Sequence, residues 1–356
     1  MATRRDFVKA AAAGVLFHGC GLAAPAHAQG RRREVMVRGK RVRTIDFHAH
    51  CAFPQALELA GQKLGQGVNR RDLVIGDTLE QRLREMDAQG IDMEALSVNA
   101  FWYGQPREVA EKIIEIQNEG LAELCAKVPE RFVALASVAL QFPDLAAKQL
   151  EDGVKKLGLR GAGVGGSVNG KELADPMLHP FWKKAEELGV PVFIHPTGTA
   201  ELKGRLQGSG GLENTIGNPL ETTLALSHLI FEGTLDHFPG LKICAAHGGG
   251  YLPSYAPRSD HICLTFPERC AAVKLKKQPT EYLKQLYFDA LVFTPEALRH
   301  LAAQVGSSQL VLGTDHPFPW EKAAVDHIMN TPGLSDAERV AILGGTAARL
   351  LGLQST

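Results

Sequence analysis

The chain has 356 residues, 39 basic against 39 acidic, and a hydrophobic fraction of 45%. Formal neutrality excludes the basic face by which a nucleic-acid binder engages phosphates, and the length is ample for a large buried core. Six cysteines without a C-x-x-C pair give no zinc-ribbon or thioredoxin pattern, so the thiols are expected as small, unpaired, buried residues.

The first 28 residues read as a leader. Arg4 and Arg5 precede Asp6-Phe7-Val8-Lys9, an apolar stretch follows from Ala10 to Phe17, and Ala26-His27-Ala28 is a small-x-small cleavage signature. The pattern resembles a twin-arginine export signal, which places the mature chain in the periplasm or beyond. The apolar stretch is shorter than the roughly 20 residues of a membrane span, so no stable span is expected after leader removal. Residues 29–41, with Arg31-Arg32-Arg33, read as an N-terminal arm, and the basic run Lys274 to Lys277 as a solvated helix face.

From residue 42 onward, eight apolar strand-like runs alternate with amphipathic helical stretches. The runs lie near 42–47, 94–98, 132–138, 159–164, 190–194, 241–246, 286–289 and 309–313. The helical stretches are 79–89, 106–127, 144–156, 180–188, 218–231 and 295–304. Such alternation implies parallel strands joined by crossover helices, and eight units imply an α/β fold of the (β/α)8 TIM-barrel type over 42–353, with chemistry at the C-terminal ends of the strands. The irregular stretches 51–78 and 198–217 are candidate lids or substrate loops.

Four of the runs end on a potential metal ligand or base. His48 and His50 stand two apart at the end of the first, so both imidazoles face one side of a strand. His195 ends the run 190–194, His247 follows 241–246, and Asp315 follows 309–313. A lone strand-end histidine is ordinarily a hydrogen-bonded structural residue. Recurrence of such groups on separate strands has no packing rationale and points to a metal centre. Imidazole and carboxylate donors without thiolate suit zinc with an open position for water, and also admit manganese or iron. Asp46 shares the face of His48 and His50 and reads as structural. Three glycines after His247 allow a tight turn and close approach by substrate.

These residues, with Arg84-Glu85-Met86-Asp87, Pro129-Glu130-Arg131-Phe132, Pro219-Leu220-Glu221-Thr222-Thr223, His247-Gly248-Gly249-Gly250 and Leu312-Gly313-Thr314-Asp315-His316-Pro317-Phe318-Pro319, resemble the amidohydrolase superfamily from Thr44 to about Leu353. The resemblance is to its aminocarboxymuconate-semialdehyde decarboxylase branch. It implies His48, His50, His195 and Asp315 as metal ligands, with His247 and Asp315 catalytic. It also implies Arg258, Arg70 and Phe318 as substrate-binding residues and a homodimer, with Arg258 gripping a carboxylate in the site of its own subunit or of a neighbour. The implied reaction is metal-dependent, non-oxidative decarboxylation of a small unsaturated or aromatic carboxylic acid. Hydrolysis of a lactone, ester or amide by metal-activated water is the alternative, and a non-catalytic metal- or ligand-binding protein is the third class. Two departures bear on substrate. Asn214 stands where the muconate decarboxylases have a tryptophan, and His316 stands where a tyrosine is common.

Overall fold

The structure, a computed structural model, describes residues 32–62, 79–271 and 273–354; residues 1–28, expected as a leader, and Arg70 lie outside them. Parallel strands are laid down as β1 (Ile45–His50), β2 (Met93–Ser97) and β3 (Phe132–Ala134, resuming as Ala136–Ser137). They continue as β4 (Ala162–Val164), β5 (Pro191–Ile194), β6 (Lys242–Ala245), β7 (Tyr287–Asp289) and β8 (Leu310–Val311). The helices between them are α1 (Leu79–Gln89), α2 (Arg107–Lys127), α3 (Pro143–Lys155), α4 (His179–Leu188), α5 (Asn218–Phe231), α6 (Leu252–Thr265) and α7 (Pro295–Val305).

Strands such as Pro191-Val192-Phe193-Ile194 are apolar at every position because both faces are covered. Local chemistry sets the helix ends. Gly189 stops α4 in the left-handed region at φ 63°, and the Thr294 side chain caps α7 by accepting from the Ala297 N–H at 3.1 Å. Helix α6 has no counterpart among the expected helical stretches. Pro253 and Pro257 argue against a helix in sequence, yet Pro253 falls in its first turn, where the missing N–H is unneeded.

β1, β2 and the first part of β3 form a three-stranded parallel sheet. The second part of β3 joins β4, β5, β6, β7 and β8 in a six-stranded one. Leu135 lies at the handover, its N–H bonding back to the Leu96 carbonyl at 2.9 Å while the Ala136 N–H turns to the Gly161 carbonyl at 2.8 Å. At the opposite edges, the Phe47 N–H donates to the Leu312 carbonyl (2.8 Å), Asp315 to His48 (2.9 Å) and His50 to His316 (2.7 Å). These last bonds put Asp315 beside the two histidines of β1.

The core has two layers. Ile45, Phe47, Met93, Ala95, Val133, Leu135, Phe193, Cys244, Ala246 and Val311 pack together from the strands, with Ala347, Leu350 and Leu351 beneath. A larger cluster fills the space between strands and helices, including Trp102, Phe132, Phe181, Trp182 and Phe288. No helix among the described residues is long and apolar enough to cross a membrane.

Two expectations need correction. Cys263 and Cys270 are disulfide-bonded, because the end of α6 and the following turn bring their Cα atoms to 4.3 Å; Cys51, Cys125 and Cys244 remain free. The run from Lys274 to Lys277 is irregular backbone rather than helix, since Pro279 opens the next helical turn only after it. The expected N-terminal arm 29–41 packs against the rest of the chain where described. Residues 36–37 and 40–41 pair as an antiparallel hairpin, Arg32 pairs with Asp87, and Arg33 with Asp326.

Candidate metal centre

The C-terminal ends of β1, β5 and β8 bring four ligand-type side chains together. His48, His50, His195 and Asp315 are buried, and their donor atoms all lie within 4.8 Å of one another. Asp315 Oδ1 is the hub, 2.9 Å from His50 Nε2, 3.2 Å from His48 Nε2 and 3.9 Å from His195 Nε2. Both ring nitrogens of His195 are buried without a hydrogen-bond partner. An imidazole so placed is costly unless something else binds it. Three imidazoles around a carboxylate, one of them orphaned, fit a divalent cation.

His247 arrives from the end of β6, its Nε2 3.8 Å from Asp315 Oδ2. Its ring centroid lies 5.2 Å from that of His48 and 5.3 Å from that of His195. Its Nδ1 is buried and unpartnered. Both His247 and Asp315 have left-handed backbone, φ 56° and 61°, which costs a non-glycine residue on the order of 1–3 kcal/mol. Phe318 is half-buried beside the cluster, its ring centroid 5.9 Å from that of His50. Arg258 is exposed on α6 and, among the described residues, has no hydrogen-bond or ion-pair partner.

Supporting residues stand behind the ligands, and of these Asp289 and Ser97 escaped the sequence reading. Asp289, at the end of β7, is fully buried; its Oδ2 meets His48 Nδ1 at 2.6 Å and the His247 N–H at 2.9 Å, and its Oδ1 accepts from Gly248 (2.8 Å) and Leu291 (3.1 Å). One carboxylate thus aims His48 Nε2 at the cluster and holds the turn that carries His247. Ser97 Oγ meets His50 Nδ1 at 3.1 Å. Asp46 accepts from the His48 and Thr314 backbone N–H groups at 3.0 and 3.2 Å, bolting β1 to the segment that bears Asp315, a structural role as expected.

Glu221 reaches from α5 to the loop behind His195. It accepts from the Thr197 and Gly198 N–H groups, both at 2.6 Å, and from Ser167 Oγ at 3.0 Å. Below His50, Arg82 donates to the His50 carbonyl at 2.8 Å and to Glu94 at 2.6 Å. His316 Nδ1 meets the other Glu94 oxygen at 2.8 Å, and its Nε2 meets Glu85 at 3.0 Å.

Burial and charge act in opposition across the site. Burial disfavours charge on His48, but Asp315 and Asp289 outweigh it and raise its pKa to about 10. Burial dominates for His50, lowered to about 4, and for His195, held well below the ordinary imidazole range. Burial raises the Asp315 carboxyl, yet the His48 charge and the close approach of the His247, His48 and His50 imidazoles hold it well below the usual range. Burial likewise opposes ionisation of Glu94, but Arg82 and His316 bring it down to about 2. Burial and then the Glu94 charge lift Asp46 to about 7.

Parallel strands alternating with helices and a three-histidine, one-aspartate centre at the strand ends define an α/β metal-centre protein of the TIM-barrel type. The chain belongs to the amidohydrolase family, whose model matches residues 45–353. It is 33% identical to a 2-amino-3-carboxymuconate-6-semialdehyde decarboxylase of Dictyostelium discoideum over 87% of this chain and 84% of that one. It is 31% identical to a gamma-resorcylate decarboxylase of a Rhizobium species, over 86% and 97%. Its structure resembles that of a dihydroxybenzoic acid decarboxylase from a Polaromonas species, solved with bound manganese and the inhibitor 2-nitroresorcinol. That likeness has a TM-score of 0.76 and 28% identity, over 88% of this chain and 98% of that one.

Proposed function

We propose that the chain is a metal-dependent, non-oxidative decarboxylase of a small aromatic or unsaturated carboxylic acid. The observation that carries this reading is the approach of His247 Nε2 to Asp315 Oδ2, 3.8 Å apart at the edge of the four-donor cluster, in a relative of acid decarboxylases. The reaction exchanges a carboxylate for a proton: the carbon accepts a proton, the bond to the carboxylate breaks, and its electron pair stays with the carbon as carbon dioxide leaves. The protein must therefore hold a proton beside that carbon and keep the acid oriented.

His48, His50, His195 and Asp315 hold the cation, zinc by preference for this donor set and manganese or iron as alternatives. When bound, the cation stabilises the negative charge that grows on substrate oxygen. Asp315, whose histidine neighbours keep it ionised, is assigned to ligation and to orienting His247; His247 is the group that delivers the proton. Phe318 packs against the unsaturated body of the substrate. Arg258, exposed and unpaired on α6, is offered to the site of a second subunit in a homodimer, where its planar fork of donors matches a carboxylate; Arg70 is the second candidate for that grip. The two sheets close into one eight-stranded barrel through the β1–β8 bonds and the β3 handover. The chain acts in the periplasm or beyond after export through residues 1–28.

The test is incubation of metal-loaded protein with a panel of aromatic acids, unsaturated acids and lactones, recording carbon dioxide and titratable acid together. Carbon dioxide with the matching decarboxylated product is expected. Acid release without carbon dioxide assigns the site to hydrolysis of a lactone, ester or amide, and inertness of the metallated protein to both sets removes the catalytic reading.

A further inference from the structure

Glu94 stands where packing alone favours an apolar side chain. Its neighbours on β2, Met93 and Ala95, belong to the inner layer of the core, so Glu94 turns to the outer layer, where it is fully buried. Arg82 and His316 are buried with it. Buried charges seldom add stability over well-packed apolar residues, so packing does not account for the three.

Their hydrogen bonds close a ring around one metal ligand. Arg82 Nη1 donates to the His50 carbonyl at 2.8 Å, and Arg82 Nε donates to one Glu94 oxygen at 2.6 Å. The other Glu94 oxygen meets His316 Nδ1 at 2.8 Å. The His316 carbonyl accepts from the His50 N–H at 2.7 Å, which returns the ring to His50. The peptide groups on both sides of the His50 Cα are thereby fixed, one from α1 and one from the segment that carries Asp315. His316 is itself held twice more, its Nε2 meeting Glu85 of α1 at 3.0 Å and its N–H donating to Thr314 Oγ1 at 3.0 Å.

We propose that Arg82, Glu94 and His316 are positioning residues for the metal centre. The ring sets the backbone of His50 against that of Asp315, and so holds His50 Nε2 and Asp315 Oδ1 in register for one cation. Ser97 Oγ turns the His50 imidazole, whereas the ring fixes the backbone from which it projects. A tyrosine at 316, as the resemblance leads one to expect, has one hydroxyl in place of two ring nitrogens and cannot donate to Glu94 and Glu85 together. The inference rests on the metal centre and not on the reaction, so failure of the decarboxylase reading leaves it in place.

The experiment uses two amides that each copy one ring nitrogen. Asparagine at 316 places its NH2 near the position of Nδ1 and keeps the bond to Glu94; glutamine places its NH2 near Nε2 and keeps only the contact with Glu85. Metal-free wild type, His316→Asn and His316→Gln are titrated with manganese(II) against a chromophoric chelator. The visible spectrum of each cobalt(II)-loaded protein reports ligand geometry. Urea titration of the metal-free proteins reports stability. His316→Asn is expected to bind metal within about threefold of wild type, since the ring stays closed. His316→Gln is expected to lose about 10- to 100-fold in affinity, with a changed cobalt spectrum, because the ring is open behind a ligand. A space-filling role orders the variants the other way, as glutamine is closer to histidine in volume and leaves the smaller void. Equal affinities in the two variants, or the greater loss in His316→Asn, overturn the proposal. So does a loss in His316→Gln that merely follows a fall in urea stability with the cobalt spectrum unchanged. Failure of wild type to bind manganese overturns the ring's role together with the centre.

Discussion

Asp289→Asn is the sharpest probe of how the metal centre is held. The native carboxylate offers both oxygens to four donors: His48 Nδ1 and the His247 N–H on one side, the Gly248 and Leu291 N–H groups on the other. Asparagine keeps the shape but replaces one acceptor by an NH2 group, which faces two donors whichever way the amide is turned. If the nitrogen faces His48, Nδ1 of that ring must accept, and its proton moves to Nε2, the atom aimed at the cluster; a protonated nitrogen cannot bind a cation. If the nitrogen faces Gly248 and Leu291, buried N–H groups lose their acceptor at about 1–3 kcal/mol each, and the turn carrying His247 is released. Both arrangements cost metal affinity, by about 10- to 100-fold for loss of a partner behind a ligand. Competition against a chromophoric chelator measures that loss, and urea titration of the metal-free protein should show a stability decrease of about 1–3 kcal/mol. Metal affinity within about twofold of wild type, together with an unchanged urea midpoint, would refute the assigned role of Asp289.

His195→Ala should lose metal and turnover together, because it removes a ligand from the cluster; full metal content by elemental analysis would exclude it from the site. His247→Ala should keep its metal and slow turnover by roughly 10²–10⁴, and a near-normal rate removes it as proton carrier. Glu94→Gln leaves Arg82 and His316 as facing buried cations and should destabilise the metal-free protein by about 3–5 kcal/mol in urea. The sign of the pH effect follows from a folded pKa of about 2 against an unfolded value near ~4.3. The Glu94 contribution is complete above about pH 4.3 and lost as pH falls toward 2, so that part of the acid slope should vanish in the variant. Replacing Arg4 and Arg5 by Lys should leave an active, metal-loaded precursor in the cytoplasm; continued processing and export would remove the twin-arginine assignment.

The sequence made the strand-end chemistry visible because a period of two and a short apolar run are strong signals, and His48, His50, His195, His247 and Asp315 each close such a run. Helix bounds were equally legible where amphipathic spacing was regular: 79–89 and 218–231 coincide with α1 and α5, and 106–127 differs from α2 by one residue. Asp289 closes the expected run 286–289 by the same rule, yet nothing local distinguishes a carboxylate that holds His48 and the His247 turn from an ordinary strand-end aspartate. Glu94 was hidden for a different reason. In Met93-Glu94-Ala95 a glutamate reads as a solvent-facing position, and nothing local reveals that Arg82, twelve residues earlier, makes it a buried ion-pair partner. The Cys263–Cys270 bridge depends on the turn between α6 and Pro279, which spacing alone does not describe.

The left-handed backbone at His247 and Asp315 has a consequence for anyone who would engineer or evolve this chain toward greater robustness. Both positions favour glycine on conformational grounds, so the substitutions that relieve strain most directly are the ones that delete a proton carrier and a ligand. Stability and competence therefore pull in opposite directions at the same two residues. A campaign that screens for heat resistance alone will drift toward a sturdier protein with an empty centre, unless metal content or turnover is screened with it.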